Sequence, residues 1–264
     1  MKNIIQRKII LLWLIPLLVI IGCSTKRVRK EIPENERFGR AMEEYQKKHY
    51  YDAREEFSAF TLMYPGSTKI DSAFYFLGHS HYNLNEYILA ANEFNKIVQN
   101  FPSSALVDKA QYWKANSYFE LSPAYSLDQE YSIKAIVEFQ RLVEDYPTSP
   151  NVKKSLEKIY ILRSKLAKKT YRSAELYRRA REFEAAIIYY KKILESFYDT
   201  EWGPLAVFDI GHCYENLKDW NNAHEYYQEF IQRYPDHDKI KEAKLRFETL
   251  TEKISKSEEQ AAKK

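Results

Sequence analysis

The 264-residue chain has only two cysteines, Cys23 and Cys213, and only six glycines. Two cysteines cannot form the several disulfides that hold a small disulfide-rich domain together. Few glycines, and no stretches that alternate apolar with polar residues, leave little room for a β-sheet with tight turns. The sequence therefore indicates a helical protein that is stabilised by side-chain packing.

Sequence motifs of catalysis and cofactor binding are also missing. There is no HExxH, CxxC, GxSxG or glycine-rich phosphate loop. Neighbouring candidate ligands do not converge: His79 and His81 lie two positions apart, and His212 stands directly beside Cys213, so on a helix each pair points in different directions. Cys213 is predicted to be an inert core residue. We predict no enzyme, no cofactor and no metal site.

A long hydrophobic run occurs only near the N-terminus. Residues 9–21 are apolar and follow the basic residues Lys2, Arg7 and Lys8. The run is shorter than the roughly 20 residues that a helix needs to cross a bilayer. A short apolar segment behind a basic head predicts an export signal, here residues 1–22.

The end of this segment, Ile-Ile-Gly-Cys at residues 20–23, resembles the lipobox of bacterial lipoproteins. The resemblance implies cleavage before Cys23, a diacylglycerol on its thiol, and a further acyl chain such as palmitate on its amino group. Several acyl chains suffice for stable membrane anchoring. The alternative is an ordinary signal that happens to contain a cysteine. Ser24 rather than Asp after the cysteine favours the outer membrane of a Gram-negative bacterium, and residues 23–34 then form a lipidated tether.

The net charge gives no argument for nucleic-acid binding. The full chain carries a formal charge of +4, and the signal segment contains three basic residues and no acid, so the mature chain carries +1. Export to the cell envelope also argues against nucleic acid as a partner.

The mature chain is built from internal repeats. Five segments align on one slot: MYPGS, NFPSS, DYPTS, SFYDT and RYPDH, with the slot at Pro65, Pro102, Pro147, Tyr198 and Pro235. Fixed distances before the slot give columns of one residue type. The columns are alanine (Ala53, Ala90, Ala135, Ala186, Ala223), aromatic (Phe57, Phe94, Phe139, Tyr190, Tyr227) and large apolar (Phe60, Ile97, Leu142, Ile193, Phe230). Separations of four and three residues place all three columns on one helical face.

A second helix precedes each of these, with Ala41, Gly78, Ala174 and Gly211 in a shared small-residue column. The pattern resembles the tetratricopeptide repeat, a helix-turn-helix unit. The fold is therefore predicted to be all-α: an α-solenoid of five such helix pairs plus a C-terminal capping helix, over residues 35–251, followed by a charged tail, residues 252–264.

In tetratricopeptide proteins the first helix of each pair lines a binding groove. Carried over to this chain, that pattern places the groove at Tyr75, His79, Tyr82, Tyr112, Asn116 and Phe119. An aromatic groove with hydrogen-bonding groups suits an extended peptide with hydrophobic or aromatic side chains. The alternative for the column that contains Tyr75 and Tyr112 is interhelix core.

Two insertions interrupt the repeats. Residues 122–131 lengthen the turn inside repeat three, and the first helix of repeat four is lengthened as well. Between Arg163 and Arg181 this helix has eight lysines and arginines against one acid, Glu175. One interpretation is a partner-docking surface for an acidic protein, formed by Lys168, Arg172, Arg178 and Arg179. The other is a solvated helix face.

These features together resemble the BamD family of lipoproteins from the outer-membrane β-barrel assembly machine. The lipobox, the five repeats and the segments SPAYSLDQEYSIKAIVEFQRLVEDYPTS and LRSKLAKKTYRSAELYRRAREFEAA carry the resemblance. One departure is Tyr189-Tyr190, where the family often has Asn-Arg.

The resemblance implies a scaffold on the periplasmic face of the outer membrane. Its implied partners are the periplasmic domains of the barrel-forming assembly protein and unfolded β-barrel precursor peptides. One alternative is a periplasmic adaptor of the Tol-Pal cell-envelope division system. Another is a lipid-anchored enzyme, but the five repeats leave no room for a catalytic domain.

Overall fold

The structure is a computed structural model that describes residues 32–262. Over this range the chain forms eleven α-helices and no strand. Their bounds are α1 Glu34–Gln46, α2 Tyr50–Met63, α3 Ile70–Asn83, α4 Tyr87–Asn100, α5 Val107–Glu120, α6 Glu130–Asp145, α7 Val152–Arg179, α8 Phe183–Ser196, α9 Trp202–Asn216, α10 Trp220–Arg233 and α11 Ile240–Ala262. None of these helices is both long enough and apolar enough to cross a bilayer.

Each helix packs against the next along the chain, and α1 also contacts α3, as α7 contacts α9. This is the arrangement of stacked helix pairs, so the predicted α-solenoid is confirmed. The final helix, α11, covers the last pair with the buried residues Ala243 and Leu250, as expected of a cap. Helix α11 continues to Ala262, so most of the charged tail is helical.

The repeat columns form the core. All fifteen residues of the alanine, aromatic and large apolar columns have 0% exposure. The small-residue column of the first helices is what admits the aromatic column. A Cβ atom on Gly78 would lie 2.9 Å from the ring of Phe94, and one on Gly211 would lie 3.1 Å from the ring of Tyr227. Close approach of the two helices therefore depends on a small residue at this position.

In four of the five helix pairs, the turn between the two helices contains a left-handed residue that is not glycine. Lys48, Asn85, Arg181 and Lys218 occupy the same place in repeats one, two, four and five, with φ between 60° and 64°. A residue in the left-handed conformation ends a helix, because its backbone no longer follows the right-handed helical path. In repeat three the insertion replaces this turn.

The serine two positions after the proline slot braces successive first helices in the first three repeats. Its hydroxyl donates to an acid in the first turn of the first helix of the same repeat: Ser67 to Glu34 at 2.5 Å, Ser104 to Asp71 at 2.5 Å and Ser149 to Asp108 at 2.6 Å. The same hydroxyls accept from the backbone N–H groups of Lys69, Leu106 and Asn151. The serine thus joins one repeat to the start of the next.

Helix α7 belongs to two packing clusters. In its first half, Ile159 and Leu162 pack with the core of repeat three. In its second half, Ala167 and Ala174 pack with α8 and α9. We call α1–α6 with residues 152–165 the amino block, and residues 166–179 with α8–α11 the carboxyl block.

The first half of α7 repeats the pattern of the cap α11. Val152, Ser155, Ile159 and Leu162 correspond to Ile240, Ala243, Phe247 and Leu250, with a constant offset of 88 positions. Val152, Ile159 and Leu162 pack on the preceding helix pair, and so do Ala243, Phe247 and Leu250. Each block therefore ends in its own cap, and the first cap runs without a break into the first helix of the next block.

The insertion between α5 and α6 lies on α7. Lys165 Nζ donates to Ser122 Oγ at 2.7 Å, and Lys169 Nζ donates to the Leu127 carbonyl at 2.7 Å. The buried Gln129 closes the loop by donating to the carbonyls of Ala124 and Leu127. Part of the basic charge of α7 therefore holds this loop.

Candidate peptide groove and docking surface

The candidate groove lies where side chains of α3 contact those of α5, and side chains of α5 contact those of the first half of α7; we call this surface the first-helix face. Two of its predicted residues belong to the core of their pairs. The Tyr75 ring packs on Phe94 with centroids 5.8 Å apart, and the Tyr112 ring packs on Phe139 at 5.9 Å. The interhelix interpretation of this column is the one that the packing favours.

His79 is also largely enclosed. It is 8% exposed, and its ring meets those of Tyr75, Phe94 and Trp113 edge-on, with centroids 4.4–5.2 Å apart. Burial lowers the pKa of His79 to about 4. At neutral pH this side chain is an uncharged packing group under the groove.

Tyr82 and Asn116 form a polar link across α3 and α5. Asn116 Nδ2 donates to Tyr82 Oη at 2.7 Å, and Tyr82 Oη donates to the Glu120 carboxylate at 3.0 Å. Burial and the neighbouring Glu120 charge raise the pKa of Tyr82. Asn116 Oδ1 is buried and has no donor among residues 32–262. Because Asn116 is only 5% exposed, its role is to hold Tyr82 in place from beneath the groove surface.

Phe119 lies at the end of this face next to Lys158, which is not among the residues predicted from the repeat pattern. Lys158 Nζ, from the first half of α7, lies 3.7 Å from the centroid of the Phe119 ring. Burial lowers the pKa of Lys158, an effect that the charge of Glu120 only partly offsets. Aligning the first half of α7 with α11 would have placed Lys158 here. The accessible groove thus consists of Tyr82, Phe119 and Lys158, with the buried Asn116 beneath it.

Three of the four predicted docking residues share one face of α7, because Lys168, Arg172 and Arg179 are separated by four and seven positions. Arg172 and Arg179 both donate to Glu175, at 2.6 and 2.7 Å. Burial would raise the pKa of Glu175, but these hydrogen bonds and charges outweigh it and lower that pKa. Leu176, 68% exposed, lies on the same face.

Arg178 differs from the other predicted docking residues. It is half-buried, and its Nε atom is buried without an acceptor among the described residues. Burial would lower its pKa, but the neighbouring Asp209 carboxylate acts against burial and the pKa is raised. Lys168 Nζ lies 4.7 Å from the Tyr125 ring of the insertion. Arg172, Arg179 and Leu176 are therefore the more accessible part of the docking surface.

The two cysteines fall into different regions. Cys23, the predicted lipidation site, lies outside the described residues. Cys213 is fully buried, and burial raises the pKa of its thiol to about 12. It is a protonated core residue at neutral pH.

Known proteins resemble the chain at the level of family and fold. The YfiO family, described as an outer membrane lipoprotein, matches residues 30–218, and a tetratricopeptide repeat family matches residues 205–237. No curated protein matches the sequence.

Similar solved structures include a tetratricopeptide repeat protein of Bacteroides fragilis NCTC 9343, with 14% identity over 83% of this chain and 100% of that one, at a TM-score of 0.48. The TPR2AB domain of yeast Sti1, from a complex with pHSP90, has 12% identity over 84% of each chain, at a TM-score of 0.43. A tetratricopeptide repeat protein of Parabacteroides merdae ATCC 43184 has 13% identity over 87% and 78%, at 0.37.

The stacked helix pairs and the repeat match define a tetratricopeptide protein-interaction module, a non-catalytic class. The longer match covers more than half of the chain, and the chain belongs to the YfiO family of BamD-type outer membrane lipoproteins. The predicted family is confirmed, and with it an outer membrane lipoprotein that acts through protein partners.

Proposed function

We propose that this lipoprotein is the periplasm-facing scaffold of the β-barrel assembly machinery. Residues 1–22 direct export, Cys23 carries the acyl chains, and residues 23–34 tether the solenoid to the outer membrane. The scaffold docks the periplasmic domains of the barrel-forming assembly protein and captures unfolded β-barrel precursors. Family membership supports the setting, and two separate surfaces support the two binding roles.

The observation that carries precursor capture is the polar link on the first-helix face. Tyr82 and Asn116 are held in place by their mutual hydrogen bond, and the half-buried Tyr82 hydroxyl and the exposed Glu120 carboxylate are the polar groups of this link that an extended peptide can reach. The neighbouring ring of Phe119 offers an apolar contact for a side chain of the peptide. Pre-positioned groups reduce the entropy lost on binding.

Partner docking is assigned to the face of α7 that carries Arg172, Leu176 and Arg179. Here an exposed apolar side chain lies between two guanidinium groups. Protein interfaces often have this arrangement, an apolar anchor surrounded by a charged rim. Glu175 pairs with both arginines, but its single negative charge balances only one of their two positive charges. The face therefore keeps a net positive charge that suits an acidic partner surface.

The proposal is tested by solubilising the lipoprotein from its own membranes in detergent and identifying the proteins that co-purify. The barrel-forming assembly protein is the expected partner. Recovery of Tol-Pal division components in its place would refute the proposal in favour of the adaptor function. The Cys23→Ala variant should lose lipid labelling and remain an uncleaved precursor.

Charge reversal tests the docking surface. Arg172→Glu with Arg179→Glu should reduce recovery of the partner, and the residual binding should weaken further as salt rises through about 0.1–0.3 M. Lys153→Glu with Lys154→Glu, at exposed positions in the first half of the same helix, is the matched control and should leave recovery unchanged. Equal recovery from both variants would assign docking to another surface.

A further inference from the structure

The last turn of α2 carries two exposed apolar side chains. Leu62 is 79% exposed, the largest value among the large apolar side chains of residues 32–262, and the adjacent Met63 is 43% exposed. A single exposed leucine is ordinary on a protein surface, whereas neighbouring exposed apolar residues can mark a contact site. The other repeats show whether the fold itself requires them.

The other four repeats have polar side chains at these two positions. Three positions before the slot, in place of Leu62, they have Gln99, Glu144, Glu195 and Gln232. Two positions before the slot, in place of Met63, they have Asn100, Asp145, Ser196 and Arg233. All four form the same helix end without an apolar residue there. The apolar pair is therefore a property of repeat one and not of the repeat fold.

Repeat one is also where the N-terminal segment enters the solenoid, and hydrogen bonds hold this entry beside the end of α2. The hydroxyl of Tyr64, the residue after Met63, donates to the carbonyl of Ile32. Lys69 Nζ donates to Asn35 Oδ1 at 2.7 Å. The start of the solenoid therefore lies against the turn that follows α2.

The proposed lipid anchor is close to this entry along the chain. Ile32 follows Cys23 by nine positions, which span no more than about 32 Å at about 3.6 Å per residue. The end of α2 thus stays close to the membrane whatever the conformation between them. Between these two residues the chain has one acid, Glu31, and the basic residues Lys26, Arg27, Arg29 and Lys30. Anionic phospholipid headgroups attract such a basic run.

The surface around the apolar pair is compatible with lipid contact. Residues 57–70, which include Leu62 and Met63, contain one lysine and no acid, so this segment brings no carboxylate to an anionic surface. Exposed leucine and methionine side chains gain free energy when their apolar surface leaves water. Apolar side chains combined with basic residues bind membrane interfaces through both effects.

We propose that Leu62 and Met63 contact the phospholipid surface of the membrane in which Cys23 is anchored, and that they hold repeat one against it. The inference rests on the proposed acylation of Cys23 and goes beyond it. Acyl chains alone attach the protein to the membrane, but they do not determine which part of the solenoid faces the lipid.

The test measures short-range quenching of a fluorescent label by lipids that carry a nitroxide near the headgroup. The full lipoprotein is labelled at Gly66→Cys, an exposed position in the turn after α2 where an added Cβ atom has open space. Cys213 is fully buried, so the label reacts with the introduced thiol. The labelled protein is reconstituted into vesicles of phosphatidylethanolamine and phosphatidylglycerol, at a ratio that leaves most vesicles with one chain or none, and is recovered by flotation.

The label at Gly66 should be quenched, and a label on Asp236→Cys, the equivalent exposed position of repeat five, should be quenched much less. Leu62→Gln with Met63→Asn introduces the residues of repeat two and should lower the quenching at position 66 to the level at position 236. Leu245→Gln, at a 64% exposed position of α11, is the matched control and should leave the quenching at position 66 unchanged. Far-UV circular dichroism checks that each variant keeps its helices.

The outcomes separate the lipid contact from the anchor. A lipoprotein that does not float with the vesicles overturns the anchor at Cys23 and the contact together. A lipoprotein that floats with an unquenched label at position 66 overturns the contact and leaves the anchor intact. Equal quenching with and without the Leu62 and Met63 substitutions also overturns the contact, and so does an equal loss of quenching in Leu245→Gln.

Discussion

The most informative stability experiment concerns a buried ion pair between α5 and α6. Lys114 Nζ lies 2.9 Å from Glu138 Oε2, and the two side chains are only 8% and 11% exposed. Gln111 Nε2 donates to the same carboxylate oxygen at 2.9 Å, and Arg141 Nη1 donates to the other at 3.0 Å. Glu138 thus has three partners, whereas Lys114 has one carboxylate.

This asymmetry sets the expected magnitudes. Glu138→Leu leaves the Lys114 ammonium buried with no counter-ion, so it should lower the free energy of unfolding by about 3–5 kcal/mol. Lys114→Met removes one charged hydrogen bond from a carboxylate that keeps two others, so a loss of about 1.5–3 kcal/mol is expected. The double variant should be more stable than Glu138→Leu alone, because no charge is then left buried without its partner.

Chemical unfolding followed by far-UV circular dichroism measures these losses. The matched control is the exposed pair Lys134–Glu130 on α6, at 2.6 Å with 47% and 64% exposure. Lys134→Met should cost no more than about 0.5 kcal/mol. Equal losses from Lys114→Met and Lys134→Met would refute the conclusion that burial makes the first pair matter.

The pH dependence gives a second check on the same pair. Burial would raise the pKa of Glu138, but hydrogen bonds from Gln111 and Lys114 outweigh it and lower that pKa below 4.5. A lowered carboxyl pKa contributes stability that is present above pH 4.5 and is lost as pH falls through the folded value. The difference between wild type and Lys114→Met should therefore shrink below pH 4.5.

Three further predictions concern the repeats. Lys218→Gly should raise the free energy of unfolding by about 0.5–1 kcal/mol, because Lys218 has a φ of 60°, which glycine adopts more readily than lysine. The control Lys244→Gly, inside α11, should lower the free energy of unfolding by about 1 kcal/mol. In urea unfolding, Ser104→Ala should cost about 1 kcal/mol through loss of its brace to the acid of α3, and the exposed Ser103→Ala should cost nothing measurable. Burial lowers the pKa of His79 to about 4 from 6.5, so stability should fall as pH drops from 6.5 towards 4, and thermal unfolding of His79→Gln should show a smaller fall.

The periodicity of the sequence was sufficient to predict the helix pairs and their cores. Residues such as Ala90, Phe94 and Ile97 recur at separations of four and three, and only one helical face can satisfy that spacing. Their complete burial follows from the spacing. The turns were less accessible to prediction, because Arg181 and Lys218 take a conformation that usually identifies glycine.

The groove was predicted only in part. The alignment of the repeats shows which way a side chain points, but it does not show how far neighbouring helices bury that side chain. Tyr75 and His79 point from the expected positions, yet their own pair and the next helix enclose them. Lys158 required a comparison between the two caps rather than among the five repeats. The contribution of Lys165 and Lys169 to the loop depends on a long-range contact that no local pattern contains.

Because α7 is one continuous helix, it fixes the distance between the candidate groove and the candidate docking face. Lys158 and Arg172, one at the candidate groove and one on the candidate docking face, are fourteen positions apart on the same helix. At 1.5 Å and 100° per residue, their Cα atoms are separated by about 21 Å along the axis and by about 40° around it. A turn between them would let this distance vary, whereas a hydrogen-bonded helix holds it constant. Two ligands bound at these sites would therefore be held at a fixed separation and a fixed angle to each other.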